Sequence, residues 1–278
     1  MYILFDIGGT KTRLAYSKDG ITFGDPFVCD TERDFGIAMK TMKELFEKAA
    51  DGGVVKAAAG GARALDRGKK RLRAHPHFPL WAGEPLHEEL ERMLGVPVYL
   101  ENDAAFAGLG EAAAGAGRGY QIVGYITVST GVGGARIVNG IIDSAYQGFE
   151  PGNQIIDMDG SSHFAHTAPA FLESYISGTA FMERFGKKPH EISDQTVWEE
   201  TARILAFGLH NTIVHWSPDI VVLGGSMITG NPAISIEHIK NYLRDILKIF
   251  PDLPELKKAE LGDRGGLQGA LTYLNMER

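Results

Sequence analysis

"FDIGGTKTRLAY", residues 5–16, places an aspartate in an apolar strand and follows it with a glycine-rich turn and a second strand-like run. A carboxylate in such a strand is costly unless a cation or hydrogen bonds compensate it. We expect Asp6 either to hold Mg²⁺ through water or to pair with the Lys11 ammonium. The stretch therefore predicts a β-hairpin with a compensated acid at its base.

A second stretch has the same layout. "ITVSTGVGGARIVN", residues 126–139, also has a strand, a glycine-rich turn, a basic residue and a strand. At one constant offset, Asp6 aligns with Ser129 and Arg13 with Arg136. This similarity predicts two homologous lobes that face each other across a cleft, and the alternative is chance similarity between two glycine turns.

Both turns have the chemistry of a phosphate cradle. Neither has the spacing of a Walker loop or of a dinucleotide fingerprint. Glycine amides and threonine hydroxyls can surround phosphate oxygens, because a missing Cβ lets the backbone approach closely. Ordinary hairpins, which also favour glycine, are the alternative. The predicted phosphate-binding residues are Gly8, Gly9, Thr10, Lys11, Thr12, Thr130, Gly131 and Gly133.

The order of elements indicates an α/β protein, since strand-like runs alternate with helical patterns. Helices are predicted over residues 31–50 and 195–216, and over roughly 265–276. Strands are predicted at Tyr2–Phe5, Arg13–Tyr16, Val54–Ala59, Val96–Leu100, Ile122–Val128, Ala135–Val138, Ile220–Leu223 and Leu256–Leu261.

Composition narrows the class of protein. The 278 residues carry a net charge of −7, which argues against nucleic acid or an anionic membrane as the main partner. "RALDRGKKRLR", residues 63–73, is the one dense basic run and is interpreted as a solvated loop. The single cysteine, Cys29, and the lack of a leader or a long apolar run predict a cytoplasmic protein.

Taken together, the motifs resemble the ROK family of sugar kinases and repressors, within the actin/hexokinase/Hsp70 superfamily. The resemblance covers nearly the whole chain. It rests on "DIGGTKTR" near the start, "ENDAAFAGLGE" at 101–111, "STGVGGARIVNG" at 129–140, "FLESYISGTA" at 171–180, "PDIVVLGGSMI" at 218–228 and "GLQGAL" at 266–271.

The resemblance implies a fold and an organisation. The expected fold class is α/β, a two-lobed actin-like ATPase (ribonuclease H-like) fold with a central interlobe cleft. The smaller lobe is expected at residues 1–114 plus 263–278, and the larger at 115–262. A homodimer is expected by analogy with the family.

The resemblance also implies roles for individual residues. Asp103 matches the family's general base, and Asn102 its sugar-binding asparagine. Glu150, Asn153 and Glu173 fall at sugar-binding positions, and Gly224 and Gly225 where glycines lie against adenosine. Each has a structural alternative: a helix N-cap for Asp103, a turn for Glu150, a helix surface for Glu173 and a strand end for the glycine pair.

One departure from the family concerns zinc. The family's zinc histidine is Asn153 here, and its cysteine positions fall on Phe164, His166 and Phe171. These are not a tetrahedral ligand set, and His163 and His166 alone do not make one, so no structural zinc is expected. Aromatic packing by Phe164 and Phe171 is a hypothesis for what holds this segment instead.

The implied function is an ATP- and Mg²⁺-dependent kinase that phosphorylates a hexose, most simply the 6-OH of glucose. An N-acetylhexosamine or fructose is the alternative substrate, and polyphosphate the alternative donor. A second alternative is a sugar-binding or sensing protein without catalysis. A repressor is disfavoured, because the first hairpin begins by residue 6 and the chain is acidic.

Overall fold

The computed structural model describes residues 1–50, 52–74, 80–158 and 170–277, without the side chains of 49 and 50, and the chain forms two compact units. Unit 1 comprises Met1–Ala113, Ser144–Gly148 and Asp263–Arg278. Unit 2 comprises Ala114–Asp143 and Phe149–Gly262. The predicted lobe boundaries stay a prediction, as does a cleft between the lobes.

Strands and helices alternate along most of the described chain. The strands are β1 (Tyr2–Ile7), β2 (Lys11–Ser17), β3 (Phe27–Asp30), β4 (Ala57–Ala62), β5 (Val98–Glu101), β6 (Ile122–Val128), β7 (Val132–Val138), β8 (Ile141–Ile142), β9 (Ile155–Asp157), β10 (Ala170–Phe171), β11 (Ile220–Gly224) and β12 (Glu255–Lys258). The helices are α1 (Phe35–Ala50), α2 (Leu86–Leu94), α3 (Asp103–Ala114), α4 (Glu173–Ile176), α5 (Gly178–Phe185), α6 (Gln195–Trp216), α7 (Ser226–Thr229), α8 (Ile236–Ile246) and α9 (Gly265–Met276).

The five-stranded sheet of unit 1 has the order β3-β2-β1-β4-β5. β1, β2 and β3 pair antiparallel, whereas β4 and β5 run parallel to β1. β1 is the central strand and is covered on both faces, which explains its nearly continuous apolar sequence. Its apolar residues Ile3, Leu4, Phe5 and Ile7 are fully buried, and Asp6 is the one charged residue in this strand.

Unit 2 repeats this topology. Its five-stranded sheet has the order β12-β11-β6-β7-β8, with β6, β7 and β8 antiparallel and with β11 and β12 parallel to β6. The repeated layout of two hairpins is therefore confirmed. The residue-by-residue alignment is wrong, because Asp6 pairs with Arg13 in the first hairpin whereas Arg136 pairs with Gly124, not Ser129, in the second.

Three helices test the predicted bounds. α6 and α9 occupy the predicted ranges 195–216 and 265–276. α1 begins at Phe35 instead of residue 31. The Asp34 side chain accepts a hydrogen bond from the Ile37 N–H at 2.9 Å, so Asp34 sets the start of α1 as its N-cap.

α3 and α9 pack closely against each other in unit 1. A Cβ on Gly269 would lie 1.8 Å from the Phe106 carbonyl oxygen, and one on Gly110 would lie 2.3 Å from that of Gly265. Only glycine permits backbones to approach this closely. This contact explains Gly269 of the "GLQGAL" motif, and it places the start of α9 against the middle of α3.

Within the described residues, the helices are too short or too polar to cross a lipid bilayer.

Candidate active site

Asp6 lies where β1, β4 and α9 meet in unit 1. It is paired in register with Arg13 on β2 and Gly61 on β4. A Cβ on Gly266 of α9 would lie 3.3 Å from Asp6 Cγ, and one on Gly61 would lie 3.5 Å from Asp6 Oδ1. The Asp6 side chain is 19% exposed, so it is mostly but not completely buried.

Charges around Asp6 leave it only partly compensated. Arg13 Nη1 lies 3.9 Å from Asp6 Oδ2, while Arg13 Nη2 lies 2.8 Å from Asp263 Oδ2. Burial and the charge of Asp103 raise the pKa of Asp6 to about 7, although Arg13 opposes the rise. A carboxylate with a raised pKa favours a proton or an added cation as its partner.

The pairing of Asp6 with Lys11 is wrong. Lys11 Nζ instead donates to Asp30 Oδ1 at 2.6 Å, across the β2–β3 pair. Arg13 takes the place expected for the lysine, because residues 6 and 13 are opposite each other in the antiparallel register whereas Lys11 lies at the turn. Binding of phosphate by Lys11 stays a prediction, since the ammonium has further N–H donors besides the one that Asp30 accepts.

The first turn, residues 8–11, is held by a short hydrogen-bond chain. The Gly8 N–H donates to the Lys11 carbonyl at 3.0 Å, and Thr31 Oγ1 donates to the Gly8 carbonyl at 2.8 Å. Thr12 is buried, and its hydroxyl lies 2.9 Å from Thr31 Oγ1. Thr12 thus supports the turn from inside, whereas Gly9 and Thr10 are exposed at its tip.

Asn102 and Asp103 form the start of α3. Asn102, not Asp103, is the N-cap, because its Oδ1 accepts hydrogen bonds from the N–H groups of Ala104 at 2.9 Å and Ala105 at 3.3 Å. Asp103 is the first helical residue, and its Oδ1 also accepts from Ala104 N–H at 2.8 Å. Since the Asn102 oxygen is used by the helix, the group it can offer a ligand is the donor Nδ2.

Asp103 is, after Asp6, the second carboxyl group in the described part of unit 1 with a raised pKa. Burial raises the pKa of its carboxyl, while the positive charge of Arg63 and the Ala104 N–H lower it. The charge of Asp103 in turn contributes to the raised pKa of Asp6. Sequence reasoning missed Arg63, although an arginine directly after the small-residue strand "AAAGGA" was a usable signal.

The second turn, residues 129–131, is braced within unit 2. The Ser129 N–H donates to the Gly131 carbonyl at 2.8 Å. At the start of α5, the Gly178 N–H donates to the Ser129 carbonyl at 2.7 Å and the Thr179 hydroxyl donates to the Thr130 carbonyl at 2.8 Å. Gly131 is buried, while Thr130 is exposed at the tip.

Of the predicted sugar-binding residues of unit 2, Glu173 contacts Val132, which follows this turn. Glu173 Oε2 accepts a hydrogen bond from the Val132 N–H at 2.6 Å. Glu150 and Asn153 enclose a short 3₁₀ turn in which the Asn153 N–H donates to the Glu150 carbonyl at 3.0 Å. A Cβ on Gly152 would lie 2.4 Å from the Val132 carbonyl oxygen, so this turn packs directly on β7.

Gly224 and Gly225 end β11 with very little space around them. A Cβ on Gly224 would lie 2.5 Å from Tyr125 Oη. Gly225 has a φ of +85°, and its Cβ would lie 2.3 Å from the Val128 carbonyl oxygen. Packing against β6 therefore accounts for both glycines, and their contact with a nucleotide stays a prediction.

The glycine pair gives a stability test. We expect Gly225→Ala to lower the free energy of unfolding by about 2–4 kcal/mol, because it adds backbone strain to a clash with β6. Gly140 has a φ of +74°, but an added Cβ would meet no atom within 4 Å, so Gly140→Ala measures the backbone strain alone. It should lower the free energy of unfolding by about 1 kcal/mol. Gly24→Ala, in open space without positive φ, is the neutral control. Denaturant titration that ranked the three equally would contradict this account.

The segment that departs from the zinc motif is only partly described. Asn153 lies in the 3₁₀ turn, and Phe171 is 39% exposed in β10. Burial of the Phe171 ring, which the packing hypothesis needs, is not what the structure shows. His163, Phe164 and His166 lie outside the described residues.

Comparisons with known proteins find ROK family members as relatives of this chain. The sequence model of the ROK family matches residues 2–277. An N-acetyl-D-glucosamine kinase of Escherichia coli O127:H6 is 28% identical, over 97% of this chain and 98% of that protein.

Two solved structures have the same fold. A ROK hexokinase from Thermus thermophilus has a TM-score of 0.77 and 26% identity over 99% of both chains. A ROK glucokinase from Streptomyces griseus, in complex with glucose and AMPPNP, has a TM-score of 0.79 and 24% identity over 98% of both chains. The predicted fold class, α/β of the actin-like ATPase type, is confirmed.

Proposed function

The chain belongs to the ROK family, and on that premise we propose that it is an ATP-dependent kinase that phosphorylates a hexose, at the 6-OH of glucose or a close relative. The observation that carries the proposal is Asp103. It is a partly buried carboxylate with a raised pKa, held at the start of α3 beside Asn102 and under the charge of Arg63. Strongly perturbed acids next to a specific charge are typical of catalytic sites.

Asp103 acts as the general base. Its carboxylate takes the proton from the sugar hydroxyl, the hydroxyl oxygen forms the new bond to the γ-phosphorus of ATP, and ADP leaves with the electrons of the broken bond. Burial raises the pKa of the carboxylate and so makes it a stronger base, while the charge of Arg63 opposes part of that rise. The Ala104 N–H fixes the direction of the carboxylate, because it donates to Oδ1.

Sugar binding in this proposal is assigned to Asn102, Glu150, Asn153 and Glu173. Asn102 contributes its Nδ2 donor, since its oxygen caps α3. Glu150, Asn153 and Glu173 contribute acceptors and donors at the start of β7, where Glu173 also holds the Val132 backbone. Paired polar groups of this kind reject sugars that lack the matching hydroxyl.

ATP contacts are assigned to the two turns and to the end of β11. The exposed tips at Gly9–Thr10 and at Thr130 offer backbone and hydroxyl groups to phosphate oxygens. Gly8, Lys11 and Gly131 complete the two turns, and Gly133 follows in β7. Gly224 and Gly225 are assigned to the adenosine. Thr12 supports the first turn through Thr31.

Mg²⁺ fits the chemistry of Asp6. Among the described residues, no three His, Cys, Asp or Glu side chains are grouped closely enough to form a complete metal cage. Mg²⁺ in kinases needs only one or two carboxylates besides substrate phosphates and water, and the raised pKa of Asp6 reflects a need for positive charge. Bound there with ATP, the ion would neutralise charge on the transferred phosphoryl group.

An N-acetylhexosamine is the second candidate acceptor. The observation that favours it is the full-length match to an N-acetyl-D-glucosamine kinase at 28% identity. Fructose remains a third acceptor, and polyphosphate an alternative donor. All of these keep Asp103 as the base and differ only in the groups that bind the sugar or the donor.

An ADP-release assay with Mg-ATP tests the proposal. The acceptors are glucose, mannose, fructose, N-acetylglucosamine and N-acetylmannosamine, with 6-deoxyglucose to test the position of transfer and polyphosphate as a second donor. We expect saturable turnover of at least one hexose and none of its 6-deoxy form. The Asp103→Asn variant, purified in the same way as wild type, is the control: any activity that remains in it sets an upper limit on activity from contaminating kinases.

Calorimetry in the absence of ATP separates the alternatives. If a sugar of the panel binds but no phosphate is transferred from either donor, the chain is a sugar-binding protein and the kinase proposal is wrong.

A further inference from the structure

The basic run of residues 63–73 forms a short hairpin whose charged tip, residues 67–71, is exposed, in line with its interpretation as a solvated loop. Leu65 and Leu72 form a β-bridge and are buried in the core of unit 1. The Asp66 N–H donates to the Arg71 carbonyl at 2.8 Å, and the Lys69 N–H donates to the Asp66 carbonyl at 2.9 Å. These contacts place Lys69 at the tip of the hairpin in one defined conformation.

Lys69 is held in a backbone conformation that a side chain disfavours. Its φ is +55°, in the left-handed region where non-glycine residues are strained by about 1 kcal/mol or more. The neighbouring Lys70 N–H donates to Asp66 Oδ1 at 2.8 Å, which fixes the turn on the other side. Residues in strained backbone conformations are often found at functional sites, so the contacts of the Lys69 side chain are relevant to function.

The Lys69 side chain contacts the residue that precedes Asn102. Lys69 Nζ forms an ion pair with Glu101 Oε2, and Glu101 is 8% exposed at the end of β5. The other oxygen, Glu101 Oε1, accepts a hydrogen bond from the Asn102 N–H at 2.8 Å. One carboxylate therefore connects the hairpin tip to the backbone of Asn102.

The space beside this connection is not filled by core side chains. A cavity of about 50 Å³ is bordered by Lys69, Glu101, Asn102, Arg67 and Tyr146, among others. Arg67 covers the Tyr146 ring at 4.4 Å from its centroid. Beside this cavity, the contacts from Lys69 through Glu101 to the Asn102 N–H act on the backbone of the residue that caps α3.

We infer that Lys69 is a positioning residue, which fixes Asn102 and Asp103 through Glu101 and so sets sugar affinity and turnover. This inference rests on the proposed function. If Lys69 is lost, Glu101 becomes a nearly buried carboxylate without its cation, and it turns toward solvent. The Asn102 N–H then loses its acceptor, and both the sugar-binding amide and the base become misaligned.

Steady-state kinetics of Lys69→Met test the inference. We expect KM for the sugar to rise about tenfold and kcat to fall several-fold, with KM for ATP within about twofold of wild type. Lys69→Arg keeps a cation for Glu101 and should retain most of the activity. Lys70→Met, which removes the next charge but leaves the Glu101 pair intact, is the matched control and should behave as wild type.

The Lys69→Gly variant distinguishes loss of the Lys69–Glu101 contact from a folding defect. Glycine accepts the positive φ without strain, so this variant removes the ammonium and relieves the backbone together. It should show the same rise in KM for the sugar as Lys69→Met. Unchanged KM for the sugar in both variants, or an equal rise in KM for sugar and ATP, would overturn the inference.

Hydrogen exchange of the ligand-free protein separates this inference from the proposed function. The Asn102 amide should exchange faster in Lys69→Met than in wild type, and Lys70→Met should leave it unchanged. If the wild-type protein has no kinase activity, the proposed function fails and the exchange rates still decide whether Lys69 holds Asn102. If wild type is active and the exchange rate of Lys69→Met equals that of wild type, only the Lys69 inference fails.

Discussion

Asp103→Asn should lower kcat by about a thousandfold, while the dissociation constant of the sugar stays within about threefold. Asparagine keeps the size of the side chain and an Oδ1 that can accept from the Ala104 N–H, so the start of α3 is preserved. It cannot take a proton from the sugar hydroxyl. Single-turnover kinetics and calorimetry measure the two quantities separately.

The pH dependence of the wild-type enzyme should support the same assignment. Because burial raises the pKa of Asp103, the acidic limb of the kcat profile should lie above the ordinary range for aspartate. Arg63→Met removes the charge that opposes this rise, so the limb should move to still higher pH. Near-normal turnover of Asp103→Asn, with Asp25→Asn as an exposed control, would remove Asp103 from the mechanism.

In the described part of the chain, the predicted strands overlap eight of twelve strands, whereas the predicted helices overlap three of nine helices. α6 and α9 have the bounds that apolar spacing indicates, and Asp194 caps α6 as a helix-start residue should. α8 was missed although Ser235 caps it and Ile239 and Leu243 are buried one turn apart. β3 was not predicted, because a four-residue edge strand is too short for an alternation of apolar and polar residues to be recognised.

The candidate site was predicted less completely, because its decisive contacts join residues far apart in the chain. Motifs place Asp6, Asn102 and Asp103 at the ends of their elements. Periodicity carries no information on which partners they meet, so the pairs Arg13–Asp263 and Lys69–Glu101 were not foreseen. The same limit explains the wrong offset between the hairpins, since similar letters do not determine strand register.

The second large effect is expected at Asp6, where Asp6→Asn should make the protein more stable and less active. The folded-state pKa of about 7 lies above the ordinary value of 3.8, so the folded protein binds the proton more tightly than the unfolded chain. Wild type therefore loses stability as pH rises from about 4 to about 7, and the full penalty is present above pH 7. Three pKa units correspond to at most about 4 kcal/mol.

The neutral variant avoids this penalty. Its free energy of unfolding should exceed that of wild type at pH 8 and converge with it near pH 4, as measured by urea titration across this range. Arg13 keeps Asp263 as a partner at 2.8 Å, so the substitution leaves no unpaired guanidinium. Turnover should fall, because the carboxylate proposed to hold Mg²⁺ is gone, and Mg-ATP should stabilise wild type more than the variant.

Asp19→Asn is the matched control with the opposite sign. Asp19 is exposed and accepts hydrogen bonds from the N–H groups of Ile21 at 2.8 Å and Thr22 at 2.9 Å, which hold its pKa below the ordinary value. The ionised Asp19 carboxylate therefore contributes to the free energy of unfolding at neutral pH, and this contribution is lost as pH falls. The Asp19 variant should be less stable than wild type at pH 8. A pH profile of Asp6→Asn parallel to that of wild type would show that the buried carboxylate carries no penalty, and Asp6 would then have no physical need for the cation assigned to it.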